Sequence, residues 1–361
     1  MYSKEQLARI WLKCAPMGAW NRLDTLKKEF GGALGVWDHF TPALYQLLGE
    51  ANFTVLADLR AQRCVSILRQ LEQWQIRVVF RDDSDYPALL EPLDDAPDVL
   101  FVRGELPPPG APALSIVGSR SCTRYGGAQA RKIARTVAQA GVTVVSGLAR
   151  GIDAAAHLGA LEGGGRTVAV LGCGLTQCYP PENKELFARI LDSGGAVISE
   201  LAPDAPPLAF HFPVRNRIIA GMAHALLLVE AREKSGTHST VNYALAQGRE
   251  VFALPGNVDA PGSELPLRLL KEGAGLCACG EDILSAMGWA ERPPVQTDLW
   301  PDAETEPDPI LRALALEEKT LEELIAETGI SPGELGTQLT LLELNGRVER
   351  RAGRAYALVR P

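Results

Sequence analysis

Six short apolar runs, separated by helix-length segments, constrain the fold of residues 113–286 more than any other feature of this sequence. Each run is continuously apolar rather than alternating, which is typical of strands buried on both faces of a sheet. Strands that alternate with helices form a mostly parallel sheet wrapped by those helices. We therefore predict an α/β domain with a doubly wound, mostly parallel sheet of an extended Rossmann-like type. The predicted strands lie at 114–117, 142–145, 168–171, 196–198, 225–229 and 251–254.

The segments on either side of this domain predict smaller units. Apolar residues at helical spacing predict short N-terminal helices, and proline-rich stretches predict extended connections. Near the C-terminus, three helices and a hairpin around 351–354 predict a winged helix. Its third helix, 332–344, contains no Lys or Arg, which favours a structural role or a protein contact over insertion into a DNA groove. The predicted boundaries are 1–80 for an N-terminal helical domain (SAM-like or helix-hairpin-helix-like), 81–112 for an extended connector, 113–286 for the Rossmann-like domain, 287–307 for a linker and 308–361 for the winged helix.

The charge balance limits the kind of phosphate site that this chain can form. The sequence has 36 Lys and Arg against 44 Asp and Glu, a net charge of −8. Residues 111–286 hold sixteen basic and fifteen acidic side chains, so even this region has no broad positive surface. Phosphate binding therefore requires a local site made of a few arginines and backbone N–H groups.

Composition and cysteine spacing indicate a cytoplasmic protein. Hydrophobic residues make up 46% and charged residues 22%, as in ordinary soluble proteins. The seven cysteines include no C-x-x-C pair, which favours reduced thiols over disulfides or zinc. No apolar run approaches the roughly 18 residues that span a membrane, and the first residues lack the apolar core of a signal peptide. We expect no membrane contact, no metal and no cofactor.

Glycine or serine follows nearly every predicted strand. In an open α/β sheet, ligands bind beyond the carboxyl ends of the strands, near the switch in strand order. Glycine lets the backbone approach a ligand, and the start of the next helix offers free N–H groups and a positive dipole end. Five such turns on one edge predict a phosphate-binding cradle. The turns lie at 118–120, 146–151, 172–174, 235–237 and 255–256.

The cradle does not match the common nucleotide fingerprints. Gly118-Ser119-Arg120 does not belong to a G-x-G-x-x-G motif. The second strand ends near Ser146, where a dinucleotide-binding enzyme would carry an acidic residue for the ribose. The sequence also lacks G-x-x-x-x-G-K-[ST], so ATP hydrolysis has no support.

The stretch FHFPVRNR, residues 210–217, places aromatic rings beside cations. Single-stranded nucleic acid is bound by this combination, because rings stack on bases while cations hold phosphates. We therefore predict DNA contacts for Phe212, Arg215, Asn216 and Arg217. The alternative is that the rings belong to the core and the arginines form internal ion pairs. For one of the two arginines this alternative is as strong as DNA contact.

Taken in order, these segments resemble the DprA/Smf family of DNA-processing proteins. The resemblance covers about half of the chain, and the predicted flanking domains match the family's usual layout. The matching segments are 117–120 with 125–126, 146–153 with 156–157, 170–172 with 179–180 and Asn183, 198–200, 212–221, 229–231, 235–237, 248–256 and 273–274.

The resemblance implies a protein of natural transformation rather than an enzyme. It implies binding of incoming single-stranded DNA, a homodimer and the loading of RecA recombinase, with single-strand-binding protein as a further candidate partner. By family position, turn 118–120 would hold phosphate, Phe212 would pack on a base, and turn 235–237 would line the same pocket. The predicted DNA-binding set is Gly118, Ser119, Arg120, Ser146, Gly147, Phe212, Arg215, Asn216, Arg217, Ser235, Gly236 and Thr237.

This chain departs from the family pattern in three places. Ala209 stands where many relatives have a lysine, which removes a candidate DNA cation. Thr176 stands where an aspartate is common. Leu265-Pro266-Leu267 replaces a Gly-Thr/Ser-Asn segment near the place where relatives dimerise, so the dimer geometry is left open.

Two other functions remain open at the level of the sequence. Nucleoside-phosphate hydrolases of the lysine-decarboxylase-like group share a glycine-rich α/β sheet, but they need a positioned acid, and Glu230 is the carboxylate nearest to turn 235–237. Asp153 and His157 could form an acid–base pair, although no nucleophile accompanies them, and we favour a brace and a packing role. The second of these other functions is that of an interaction scaffold whose cradle stays empty.

Overall fold

The computed structural model describes residues 2–289, 309–314, 318–344, 347–350 and 355–358. These residues belong to two compact units, Met1–Glu291 and Arg292–Pro361. Most of the predicted linker 287–307 and the predicted hairpin turn 351–354 lie outside the described residues. Within the described part of the chain, every helix is too short or too polar to cross a membrane.

The first unit contains one nine-stranded sheet, which confirms the predicted doubly wound fold. Its strands are β1 Arg77–Phe80, β2 Val99–Gly104, β3 Ala113–Val117, β4 Thr143–Ser146, β5 Thr167–Val170, β6 Ala196–Ser199, β7 Ala225–Leu228, β8 Glu250–Ala253 and β9 Gly275–Leu276. They are ordered β1-β2-β6-β5-β4-β3-β7-β8-β9. The pairs from β6 to β9 are parallel. The chain winds outward from β3 in both directions, so the switch in strand order lies between β3 and β7.

The predicted connector 81–112 needs a correction, because it contains strand β2. This strand pairs antiparallel with both β1 and β6 and extends the sheet at one end. Its residues Val99, Leu100, Phe101 and Val102 are fully buried. The prolines on either side of this apolar run indicated an extended linker, and its burial against two neighbours could not be read from local sequence.

Helices cover both faces of the sheet. On one face α7 Arg124–Gln139, α8 Ile152–Glu162 and α13 Gly280–Ala286 share a core. On the other face α10 His211–Gly221, α11 Thr237–Ala246 and α12 Glu264–Lys271 share another. Helix α9, Lys184–Asp192, packs beside β6. Buried Ala130, Ile133, Ala134 and Val137 show the i, i+3, i+4, i+7 spacing that attaches α7 to the sheet.

The N-terminal helices fold as part of the same unit. They are α1 Lys4–Lys13, α2 Trp20–Phe30, α3 Ala33–Asp38, α4 Tyr45–Leu48, α5 Glu50–Ala61 and α6 Val65–Gln73. Trp11 is fully buried, and its indole N–H donates to Leu56 O at 2.7 Å. The hydrophobic cluster around Trp11 continues into Phe101 of β2, so these helices and the end of the sheet share one core.

The second unit is the predicted winged helix. Its helices are α14 Pro309–Ala313, α15 Leu321–Thr328 and α16 Pro332–Leu344, and its strands are β10 Lys319–Thr320, β11 Val348–Arg350 and β12 Ala355–Leu358. Helix α16 has the predicted bounds. The three strands form a sheet in the order β10-β12-β11, in which β10 was not predicted because it is only two residues long. Leu324, Leu335, Leu339 and Val348 form the core.

Candidate nucleic-acid interface

Two of the predicted glycine turns meet at the switch in strand order. The N–H of Ser119 donates to Glu230 O at 2.6 Å, which joins the ends of β3 and β7. The hydroxyl of Thr237, the first residue of α11, donates to Gly118 O at 3.2 Å. The structure therefore brings turns 118–120 and 235–237 together, at the position where an α/β sheet of this topology binds ligands.

An aromatic cluster lies beside this switch, with an exposed arginine over it. The guanidinium carbon of Arg120 is 5.4 Å from the centroid of the Phe212 ring. The Tyr179 ring centroid is 5.5 Å from that of Phe212, and Tyr179 is 41% exposed. A small cavity of about 50 Å³ opens between them, lined by Arg120, Gly147, Ala149, Arg150, Tyr179, Pro180, Phe212 and Arg215. The structure thus brings together Phe212 and Arg120, two members of the predicted DNA-binding set that come from different segments.

Two of the glycines make room for neighbouring groups. A Cβ at Gly172, just beyond β5, would lie 2.8 Å from Cδ1 of Phe212, so only glycine leaves space for the ring. Gly151 has a φ of +74°, and a Cβ there would lie 2.3 Å from Ser119 O. These glycines therefore shape the cradle by admitting the Phe212 ring and turn 118–120.

The sequence predicted a phosphate contact for Arg215, but the structure buries the Arg215 side chain. It is 6% exposed, and its Nη1 donates to Gly147 O at 3.0 Å and to Val170 O. Burial lowers the pKa of Arg215 to about 10, while nearby Asp153 acts in the opposite direction. Arg215 thus fastens α10 to the ends of β4 and β5 at the wall of the cavity, and its Nη1 and Nε groups donate to protein oxygens.

Asp153 braces the same turn from the other side. Its Oδ2 accepts from the N–H of Gly147 at 3.1 Å and of Ala149 at 3.4 Å. Burial raises the pKa of the Asp153 carboxyl, and the attraction of Arg215 opposes this effect. This is the bracing role favoured from the sequence.

Arg217 and Ser146 also depart from the predicted set. Arg217 Nη2 lies 2.7 Å from Oε2 of buried Glu200, and Nε lies 3.5 Å from Asp95. Arg217 lines a separate cavity of about 870 Å³ below the N-terminal helices. Ser146 is fully buried, and its hydroxyl donates to Ile116 O at 2.7 Å. The internal ion-pair alternative therefore holds for Arg217, and Ser146 serves the sheet.

The remaining predicted residues lie around the start of α11. Asn216 Nδ2 donates to Ser239 Oγ at 2.9 Å and to Gly236 O at 3.4 Å, so it positions this helix start. Ser235 Oγ is buried and has no hydrogen-bond partner among the described residues. A free hydroxyl beside a helix N-terminus is suited to an anionic ligand.

Four residues of the cavity lining, Ala149, Arg150, Tyr179 and Pro180, were not predicted as site residues. Arg150 is exposed and forms a surface ion pair with Glu182. Asn183 holds the Arg150 turn in place, because its Nδ2 donates to Leu148 O at 2.8 Å. Tyr179 lies in the same loop as Asn183, between β5 and α9, and packs on Phe212. Both Arg150 and Tyr179 belong to the segments that carry the family resemblance, so this resemblance could have identified them as site residues.

The carboxylates near the cradle have structural partners. Glu230 is 7% exposed, and its carboxylate accepts from the Thr123 N–H at 2.8 Å and the Thr123 hydroxyl at 2.5 Å. It thereby holds the first turn of α7, whose N-cap is Thr123. Among the described residues, no group of three His, Cys, Asp or Glu side chains could hold a metal ion.

Known proteins resemble this chain over most of its length. The model of DNA recombination-mediator protein A matches residues 77–288, and that of the DprA winged helix domain matches residues 281–354. Protein Smf of Escherichia coli is 42% identical over 302 residues, which cover 80% of this chain and 81% of that protein. DNA processing protein DprA of Streptococcus pneumoniae is 42% identical over 203 residues, covering 56% and 71%.

Two solved structures share the fold. The X-ray structure of DprA from Streptococcus pneumoniae superimposes with a TM-score of 0.63 at 32% identity, covering 79% of this chain and 98% of that one. A structure of DNA processing protein A from Helicobacter pylori, described for its single-stranded DNA binding mode, gives a TM-score of 0.52 at 25% identity, covering 59% and 95%.

Proposed function

Because this chain belongs to the DprA/Smf family of recombination-mediator proteins, we propose that it binds single-stranded DNA without sequence preference at the carboxyl edge of its sheet. The observation that carries the proposal is the exposed Arg120 side chain 5.4 Å from the Phe212 ring, at the switch in strand order. The relative from Helicobacter pylori, which binds single-stranded DNA, supports it.

In the proposed site, aromatic rings bind the DNA bases and charged side chains bind the phosphates. Phe212 and Tyr179 stack on bases, each contributing about 1–3 kcal/mol, and any base can occupy such a platform. Arg120 holds a phosphate, and Arg150 holds a second when it exchanges Glu182 for DNA. The backbone and small side chains of turns 118–120 and 235–237, with Gly147, line the path between phosphates. Arg215, Arg217, Asn216 and Ser146 support the site from below.

Binding, without catalysis, is the function proposed. A hydrolase of the lysine-decarboxylase-like group would need a free acid at this edge, whereas Glu230 is occupied by Thr123. Release of free base from nucleoside monophosphates, abolished by Glu230→Gln, is the result that would favour the hydrolase.

We further propose that the chain acts in natural transformation as a homodimer that loads RecA recombinase. The family's description as a recombination mediator supports the loading step. The edge strand β9, where Leu276 is 58% exposed, supports self-association, since an edge strand offers unpaired backbone groups. Light scattering of wild type and Leu276→Lys tests the dimer, and strand exchange with RecA tests loading.

A gel-shift titration with a long oligo-dT and a duplex of equal length tests DNA binding itself. We expect clear preference for the single strand. Arg120→Ala removes a charge-assisted contact of roughly 1.5–3 kcal/mol, so affinity falls at least about tenfold. Arg166→Ala is the matched control, because Arg166 is an exposed arginine at the amino end of β5, on the opposite edge. Equal affinity for single strand and duplex, or normal binding by Arg120→Ala, contradicts the proposal.

A further inference from the structure

Tyr125 is an exposed ring on the same edge of the sheet, outside the site described above. It lies in the first turn of α7 and is 48% exposed. Its hydroxyl donates to Pro255 O at 3.0 Å, and Pro255 follows the carboxyl end of β8. This hydrogen bond fixes the edge of the ring over β8 and leaves about half of the side chain open to solvent.

The strands next to which the two rings lie give an approximate length for the path between them. Phe212 packs against Gly172, just beyond β5. The strands β5, β4, β3, β7 and β8 are consecutive neighbours in the sheet. At about 4.8 Å per strand, the ends of β5 and β8 are about 19 Å apart. A stacked single strand rises about 3.4 Å per nucleotide, so five to six nucleotides span roughly this distance.

Groups that can bind phosphate lie just beyond the ends of the strands between the two rings. Arg120 follows β3, and the start of α11 follows β7. The hydroxyl of Ser235 is buried there without a partner among the described residues. The first turn of α11 presents backbone N–H groups and the positive end of the helix dipole, and of these the His238 N–H is already bonded to Ser235 O. A DNA strand that runs from Phe212 toward β8 therefore passes hydrogen-bond donors at the ends of β3 and β7.

Three cations lie in segments of the same sheet edge as Tyr125. Arg124 precedes Tyr125 in the chain, and Arg232 and Lys234 lie in the loop between β7 and α11. All three are exposed, and none has an ion-pair partner among the described residues. In the same loop Glu233 is paired with Arg268, so its charge is compensated.

We propose that Tyr125 is a second base-stacking platform, and that single-stranded DNA crosses the carboxyl edge from Phe212 to Tyr125. This inference rests on the proposed DNA-binding function and extends it. Each protomer then covers about five to six nucleotides, with bases held at the two ends of the path and phosphates held between them.

Titrations of Tyr125 variants with dT12 test the second platform. Tyr125→Ala removes one stacked base, so the dissociation constant rises about fivefold or more. Tyr125→Phe retains the ring and loses only the hydrogen bond to Pro255, so it binds like wild type. Tyr45→Ala is the matched control, because Tyr45 is 41% exposed but lies among the N-terminal helices.

Photocrosslinking of wild-type protein gives a readout independent of folding. Oligo-dT that carries 5-bromodeoxyuridine is bound and irradiated, and modified peptides are mapped by mass spectrometry. We expect adducts at Tyr125 as well as at Phe212 or Tyr179. Adducts confined to Phe212 and Tyr179, with wild-type affinity for Tyr125→Ala, overturn the second platform and leave the proposed function intact. Normal binding by both Arg120→Ala and Phe212→Ala instead overturns the function.

Discussion

Arg120 and Arg215 lie near the same aromatic ring and have opposite environments. Their guanidinium carbons are 5.4 and 6.0 Å from the Phe212 centroid. Arg120 is exposed, whereas Arg215 is buried and donates to the ends of β4 and β5. Arg120 is therefore free to contact DNA, and Arg215 maintains the shape of the site.

Replacing Arg215 should destabilise the fold. Arg215→Ala leaves Gly147 O and Val170 O without their donor and removes the attraction that favours the buried Asp153 charge, which together cost about 3–5 kcal/mol. Arg120→Ala removes an exposed side chain and changes stability by less than about 0.5 kcal/mol. Urea unfolding measures both values. Equal stability of the two variants would contradict the different roles.

His157, on the buried side of α8, should make stability depend on pH. The Thr167 hydroxyl donates to Val144 O at 2.7 Å, so His157 Nδ1 carries the proton in its 2.7 Å contact with Thr167. Its Nε2 is buried without a partner among the described residues. Burial lowers the pKa of His157 to about 3. Between pH 3 and 6.5 the unfolded state binds the extra proton, so stability falls as pH falls through this window.

Lowering the pH from 7 to 5 should therefore cost about 2 kcal/mol through this histidine. His157→Gln should lose that component of the pH dependence, as measured by urea unfolding at each pH. His39→Asn is the control, because His39 is exposed. An unchanged pH dependence in His157→Gln would mean that other groups cause it.

At the scale of elements, a buried ion triad joins α1 to α10. Glu200, just beyond β6, accepts from Lys13 of α1 at 2.5 Å and from Arg217 of α10 at 2.7 Å. Burial lowers the pKa of Lys13, and the attraction of Glu200 opposes that effect. The helix that carries Phe212 is thus tied to the N-terminal helices on its opposite side.

Breaking the triad should be costly because it leaves two buried cations without their carboxylate. We expect Glu200→Gln to lose about 3 kcal/mol or more of unfolding free energy. The exposed pair of Lys4 and Asp38 provides the control, and Asp38→Asn should lose less than about 1 kcal/mol. Chemical denaturation compares the two, and a similar loss in both would argue against a structural role for the triad.

The six strands β3 to β8 were predictable from sequence because each is a continuous apolar run, and the cradle because glycine turns follow those strands. The orientation of α10 was not. Residues 212 and 215 are three apart and share one side of the helix, whereas 217 is two further along and points away. Local sequence therefore placed Phe212 beside cations, but only the packed structure shows that Arg215 and Arg217 have internal partners.

At the scale of the whole molecule, a chain with a net charge of −8 must bind a polyanion through few cations. The exposed cations around the Phe212 cavity are Arg120 and Arg150. Each phosphate neutralised on a single strand contributes about −0.7 to the slope of log affinity against log salt. Two contacts from these arginines, with a third from one of Arg124, Arg232 and Lys234, predict a slope of about −1.4 to −2.1 per protomer.

The salt dependence of oligo-dT binding, compared between wild type, Phe212→Ala and Arg120→Ala, is the sharpest test of the proposed DNA-binding site. Phe212→Ala should weaken binding at every salt concentration without changing the slope, because stacking releases no counterions. Arg120→Ala should make the slope shallower by about 0.7, and Arg166→Ala should leave it unchanged. An equal change of slope in Phe212→Ala and Arg120→Ala would contradict the division between stacking and phosphate binding at this edge.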